Sequence, residues 1–434
     1  MTPEIKHRIG QIRRGEMPEG YNRVRDSIIP SDWKQYCLGE LGKNKNGLNF
    51  HREDKGIKIR ILGVGDFGNL SVLRDLNALS EISMRFMPDD ELLLKNGDIV
   101  FVRSNGSKEL VGRNLLVYPQ NEKVSFSGFC IRFRLSSDKI TTAEYINLLL
   151  DNGVLKQKLQ SENQGSNISN LNQSIIDNLQ ISIPCKGEQQ KIVAILTTQD
   201  RVIELKKKRL AERQRQKKYI TQQLLTGKKR LPGFSGQWEI KPLKKLTEKQ
   251  KKKNHGFQYR LVLSNSAQHG IVSQDQEFDK EIANEERIDG YYVVIPGAFV
   301  YNPRISVTAP CGPINVNETG ETGIMSPLYT VFTISSPQIS QDFLKYYFQS
   351  SCWYKYVKEV ANYGARHDRI SISDGDFFDM PIPLPTKEEQ SYIAEVLSTA
   401  DREIELLQQD IEQEKQKKKA LMQLLLTGIV RVKT

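Results

Sequence analysis

A chain of 434 residues exceeds what one hydrophobic core organises and suits two ordinary domains with connecting elements. Lys and Arg number 63 against 52 Asp and Glu, a net charge of +11 that suits a polyanion, either nucleic acid or an acidic membrane surface. No apolar run approaches the roughly 20 residues that span a bilayer, and the start, MTPEIKHRIGQIRRG, lacks the apolar core of a secretory signal, so a soluble cytoplasmic protein is expected.

Residues 1–30 read as a charged N-terminal extension, and residues 31–180 as a first domain of short apolar and aromatic strands broken by Gly, Asn, Asp and Pro. A helical patch falls at Thr142 to Lys158. Leu94-x-x-Gly97-Asp98-Ile99-Val100-Phe101 is a turn feeding a buried strand, followed by the polar and basic stretch Arg103, Asn105, Lys108, Arg113 and Asn114. Arg and Asn can make paired hydrogen bonds to guanine and adenine edges, so these five are candidate DNA contacts. Solvated loop residues would look the same. Ser166 and Asn167, after the helical patch, are further candidates for phosphate or base contact. Gly63-Val-Gly65-Asp-Phe-Gly68 matches the glycine spacing of dinucleotide-binding loops. The segment that follows is broken by Pro88 and Gly97 and lacks βαβ alternation, so the match is read as accidental.

Residues 181–235 and 382–434 form two helical spacers, and they are copies. Ile181 to Arg230 aligns with Ile382 to Arg431 without a gap, 21 of 50 positions being identical, where chance gives about three. Both copies carry Ile-x-x-Pro-x-Lys-x-Glu-Gln, then Asp-Arg-x-Ile-Glu-Leu, then Leu-Leu-Thr-Gly. In the second, Ile393, Leu397, Ala400, Ile404, Leu407 and Ile411 alternate steps of four and three, the seam of a coiled coil. Pro385 suits a helix start and Gly428 a helix end. The first copy places Gln199, Lys206, Arg213 and Lys217 at seam positions, which predicts fraying in its middle. Forty helical residues give a rod of roughly 60 Å.

The second domain, residues 236–381, echoes the first. Trp33-x4-Leu38-x2-Leu41 recurs as Trp238-x4-Leu243-x2-Leu246, and Val294-x-x-Gly297-Ala298-Phe299-Val300-Tyr301 repeats the turn into a buried strand. Its helical patch runs from Ser340 to Val360. Here the candidate contacts are Asn302 and Arg304 after the strand, Arg366, His367 and Arg369 after the patch, and Lys251 and Lys252 in a basic run suited to phosphate. The fold class is therefore α+β: two mixed α/β domains alternating with two long helices that pair as an intramolecular antiparallel coiled coil, a pseudo-twofold internal repeat.

Five scattered cysteines without a CxxC pair, and no histidine at ligand spacing, imply reduced thiols and no metal site. The sequence contains no Gly-x4-Gly-Lys-Ser/Thr phosphate loop and no Asn/Asp-Pro-Pro-Tyr segment, so catalysis by this chain is not expected. The duplicated Pro-x-x-x-Glu-Gln…Leu-Leu-Thr-Gly helices, the Trp-x4-Leu opening of each domain and the Gly-Asp-Ile-Val or Gly-Ala-Phe-Val turn together resemble the specificity subunits of type I restriction-modification systems, over nearly the whole chain after about residue 28. The resemblance implies that the variable segments are target-recognition domains for double-stranded DNA. It also implies that the helices space them and dock methylation subunits, two of them, with S-adenosylmethionine, ATP and Mg on the methylation and restriction subunits and no cofactor here. Two such domains can sit in major grooves roughly 34 Å apart, which makes the expected site bipartite and asymmetric. The alternative reading is a coiled-coil scaffold with two protein-binding domains.

Overall fold

The computed structural model describes residues 2–24, 27–50, 56–68, 70–105, 110–153, 155, 159, 171–274, 288–363 and 368–432. It divides into two compact units: Met1–Leu205 with Ile411–Thr434, and Lys206–Asp410. Each unit holds one α/β domain and portions of both long helices.

In the first unit a five-stranded sheet runs through Gly42–Asn46, Cys130–Leu135, Asp98–Val102, Asn114–Val117 and Val72–Leu73 in spatial order. The central strand Asp98–Val102 is buried at every position, as a run of Ile, Val and Phe covered on both faces must be. Helix Ala143–Leu150, capped by the Thr142 hydroxyl accepting from the Tyr145 amide, covers one face. A three-stranded sheet of Val124–Phe126, Ile57–Leu62 and Ser80–Met84 adds a second small core around Leu62, Phe67 and Val100. The N-terminal residues form helix Pro3–Arg13 and a pair of antiparallel strands, Tyr21–Val24 and Ser27–Pro30.

The second unit repeats this plan in reduced form. Thr247–Lys249, Thr330–Ile334, Phe299–Tyr301 and Ile314–Val316 make a four-stranded sheet. Helix Gln341–Gln349 is capped by Ser340 and followed by Tyr354–Val360. Its core is aromatic: Phe299, Phe332, Phe348, Trp353 and Phe377 stack or meet edge to face. Helix Ala143–Leu150 falls within the first predicted patch, which turns at Asp151 and Asn152 and whose residues 154 and 156–158 lie outside the described residues; the second patch is two helices with a break at Ser350–Trp353.

The spacers are helices Lys186–Leu225 and Lys387–Leu425. Their partners run antiparallel within each unit. In the first, Ile192 and Leu196 share a core with Leu425 and Leu426, while Gln199 Nε2 donates to Glu414 Oε2 at 2.6 Å and Lys418 pairs with Asp200 at 2.6 Å. In the second, Lys206 pairs with Asp410, Arg213 with Glu403 and Lys217 with Asp401. The expected fraying does not occur. The first helix is continuous because each polar seam residue finds a carboxylate on the second helix, which turns poor seam positions into cross-helix pairs. Ile220, four residues before the buried Leu224, is itself exposed.

The repeated motifs are welds between helix and domain. Buried Glu188 accepts from Arg431 Nε and Nη2 at 2.8 Å, and buried Glu389 accepts from Arg230 at 2.6 and 2.7 Å. Gln189 Nε2 donates to the Ile140 and Pro184 carbonyls, and Gln390 Nε2 to those of Gln338 and Pro385. Each Glu therefore ties one helix start to the end of the other spacer, and each Gln ties it to its own domain. Gly227 and Gly428 end the helices at φ +67° and +72°. A Cβ on Gly428 would come 2.4 Å from Pro30 Cγ, so glycine is required there on both counts. The N-terminal segment closes over this end, with Tyr21 Oη donating to the Gly428 carbonyl and Arg8 Nη1 to that of Ile429.

The glycine-rich Gly63–Gly68 loop opens only a single 3₁₀ turn, Val64–Phe67. The Asp66 carboxylate accepts from the Gly63 amide at 2.7 Å, occupying a donor that a phosphate would use, and the preceding strand pairs antiparallel with Ser80–Met84. The loop therefore lacks the strand-to-helix setting of a dinucleotide-binding loop.

Candidate nucleic-acid interface

In the second domain the buried strand Phe299–Tyr301 delivers the chain to Asn302. Asn302 Nδ2 donates to the Asn265 carbonyl at 3.1 Å, and its Oδ1 accepts from the Arg304 amide at 3.0 Å, a local turn that sets the direction of Arg304. Arg304 forms a backbone bridge with Arg369, flanked by Ile305 N to Asp368 O at 3.0 Å and Ile370 N to Pro303 O at 2.9 Å. Two arginines distant in sequence are thereby paired through their backbones. Arg304 is 69% exposed, its Nε 4.0 Å from the exposed Asp368 carboxylate. Arg304 and Arg369 line an open cavity of about 400 Å³ together with Asn302, Ser264, Gln274 and Leu328. Cationic forks on a fixed backbone beside amide and hydroxyl groups can make paired hydrogen bonds to base edges and single ones to phosphates.

The floor of this arrangement rests on a residue that sequence reasoning passed over. Asn265 is buried; its Nδ2 donates to the Val300 carbonyl at 2.7 Å and its Oδ1 accepts from Asn315 Nδ2 at 2.7 Å. The signal was available, because Asn265 occupies the inward phase of strand Leu263–Ser266, where an apolar residue is expected. Lys251 and Lys252 follow strand Thr247–Lys249, are exposed and do not line the cavity. The Lys252 ammonium lies 5.9 Å from the Tyr259 ring centroid.

In the first domain the chain leaves the central strand at Arg103, the position of Pro303 in the second. The Arg103 amide donates to the Phe129 carbonyl at 2.8 Å, its carbonyl accepts from the Leu171 amide, and Nη1 reaches the Gly128 carbonyl at 3.5 Å. Asn105 is exposed, and Arg113 closes the turn Leu110–Arg113 that leads into the next strand. Asn114 departs from expectation. It is 3% exposed, and its Nδ2 donates to Asn147 Oδ1 at 2.9 Å, while Asn147 Nδ2 donates to the Ser71 carbonyl. It braces strand against helix and presents nothing to a base, because a buried amide must satisfy its hydrogen bonds internally. Lys108, Ser166, Asn167, Arg366 and His367 lie outside the described residues.

The model of the type I restriction modification DNA specificity domain matches this chain twice, over residues 30–214 and 237–416. The chain belongs to the type I restriction-modification specificity family. Each match spans one variable domain and most of the helix after it, so the family's unit is the sequence repeat itself. The MjaVIII specificity subunit of a type I restriction enzyme from Methanocaldococcus jannaschii is 24% identical over 438 residues, covering 96% of this chain and 97% of that protein. Among solved structures, the HsdS subunit from Thermoanaerobacter tengcongensis matches with a TM-score of 0.50 at 18% identity, covering 93% of this chain and 98% of the other. A chain from a structure of type I restriction-modification complex assembly and conformational transition matches at 0.59 and 16% identity, covering 93% and 99%. These likenesses establish the fold. Among the described residues no helix is long and apolar enough to cross a membrane.

Proposed function

We propose that this specificity subunit reads an asymmetric bipartite site in double-stranded DNA, with residues 31–180 on one half-site and 236–381 on the other. The helical spacers, 181–235 and 382–434, set the unread gap. The observation that carries the reading is the backbone-locked Arg304–Arg369 pair on its open polar cavity, at the strand end where the first domain places Arg103. Two copies of one scaffold with different side chains at the same place read two different half-sites. The contacts assigned to the first half-site are Arg103, Asn105 and Arg113, with Lys108, Ser166 and Asn167. Those assigned to the second are Asn302, Arg304 and Arg369, with Arg366 and His367, while Lys251 and Lys252 serve phosphate.

The helices dock methylation subunits, one on each. Support comes from exposed apolar residues repeated at equivalent positions, Ile195 and Leu205 on the first helix and Val396 and Leu406 on the second. The chain supplies recognition and no chemistry in the cytoplasm: S-adenosylmethionine belongs to the methylation subunits, and ATP and Mg to restriction subunits. Co-expression with the methylation subunit from its own genome, followed by genome-wide mapping of modified adenines, tests the whole reading. A split asymmetric motif with a fixed gap is expected. An assembled complex, competent to bind S-adenosylmethionine, that modifies no such motif overturns it.

A further inference from the structure

Each domain exposes one large apolar side chain at the same structural position. Strand pairing sets Ile131 opposite Phe101 and Thr330 opposite Tyr301, the last residues of the two Gly-x-x-Val-Phe/Tyr motifs. Two residues earlier stand Phe129 and Leu328, 62% and 60% exposed. Both ride the same serine-capped turn. The Phe129 amide donates to Ser127 Oγ at 3.3 Å and the Cys130 amide to the Ser127 carbonyl at 2.8 Å; the Leu328 amide donates to Ser326 Oγ at 3.4 Å and the Tyr329 amide to the Ser326 carbonyl at 3.1 Å. A single exposed apolar side chain needs no explanation, but domains that otherwise diverge have kept both the turn and its apolar tip.

The tips stand beside the candidate reading groups. The Phe129 carbonyl accepts from the amides of Arg103 and Ser104, and Arg103 Nη1 reaches the Gly128 carbonyl. Leu328 lines the cavity that holds Asn302, Arg304 and Arg369. A turn whose backbone is hydrogen-bonded on both sides presents its tip without further ordering, so little conformational entropy is lost on contact. Phe differs from Leu in reach and shape, but both are apolar and suit the same kind of group. The one apolar group on a base edge in the major groove is the thymine 5-methyl.

We propose that Phe129 and Leu328 are apolar reading tips, each pressed against a thymine methyl in its own half-site, with the neighbouring arginine supplying the polar contact. The inference rests on the DNA-reading function proposed above. The test uses the chain assembled with its methylation subunits, as wild type, F129A and L328A. Affinity is measured on duplexes carrying the mapped site, with each thymine replaced singly by deoxyuridine. For wild type, removing one methyl in each half-site should weaken binding. F129A should bind the site about tenfold more weakly, within the range for a lost base-pair contact, and should no longer respond to the first-half deoxyuridine. L328A should mirror this on the second half. Unchanged affinity and motif in both variants overturns the inference, as does an equal loss on unrelated duplex. Failure of either variant to assemble with methylation subunits also overturns it, by assigning the tip to protein contact. A wild-type complex that modifies no split motif removes the DNA reading itself, an outcome visible before any variant is made.

Discussion

The two domains share a frame and differ in what they hang on it. Glu188 with Arg431 and Glu389 with Arg230 are the same weld, Gln189 and Gln390 the same clamp, and Ser127 and Ser326 cap the same turn. At the reading edge the side chains differ: Arg103 stands where the second domain has Pro303, and Phe129 where it has Leu328. Even the support differs. The first domain anchors its strand with a buried Asp98 gripped by Arg134 at 2.8 and 2.7 Å, where the second has Ala298. Duplication preserved the contacts that join domain to helix and left free those that face a ligand, as selection for assembly in common and for separate targets requires.

Breaking the welds should produce the largest effect. R230A and R431A each remove the cation from a carboxylate that is about 1% exposed, which costs about 3 kcal/mol and is measurable as a drop in urea midpoint. R431A should lose somewhat more, because Arg431 also holds Asp32 through Nη1 and Nη2; each glutamate keeps one other donor, the Val432 amide at 3.2 Å for Glu188 and the Trp238 indole at 2.9 Å for Glu389. Equal losses would show that the two welds are energetically the same. Hydrogen bonding by Arg431 holds the Asp32 carboxyl below the ordinary aspartate range. That part of the stability is complete above the ordinary range and disappears as pH falls through the lowered value, so the excess cost of R431A should shrink in acid.

Next come the substitutions that sharpen the contrast at the reading edge. R304A or R369A should cost about 1 to 3 kcal/mol on the cognate duplex, relax the motif in the second half-site and leave the first unchanged; relaxation of both halves would contradict separate reading. N114A should do the reverse, lowering unfolding stability by about 1 to 2 kcal/mol through lost buried hydrogen bonds while the methylated motif stays the same. A change of motif would return Asn114 to the interface. Smallest in energy is a matched heptad insertion, after Ala211 in the first helix and after Glu405 in the second. It keeps the seam in register, and methylome mapping should show a longer gap between unchanged half-sites; altered half-sites would end the role of the helices as a ruler.

Periodicity and repetition are local and additive along a chain, so the sequence alone determined the two long helices, their boundaries at Pro385 and Gly428, the duplication and the family resemblance it carries. It marked Arg304 and Arg369 as candidates one by one. Tertiary structure decided whatever depended on partners distant in the chain. Asn114 turned inward because Asn147, 33 residues away, offers its carboxamide. The polar seam of the first helix held because Glu403, Asp410 and Glu414 lie across from it. The meeting of Arg304 with Arg369 and the matching stations of Phe129 and Leu328 came from sheet register. A hydrogen bond or ion pair is a property of two places, and only the folded chain brings the second place within reach.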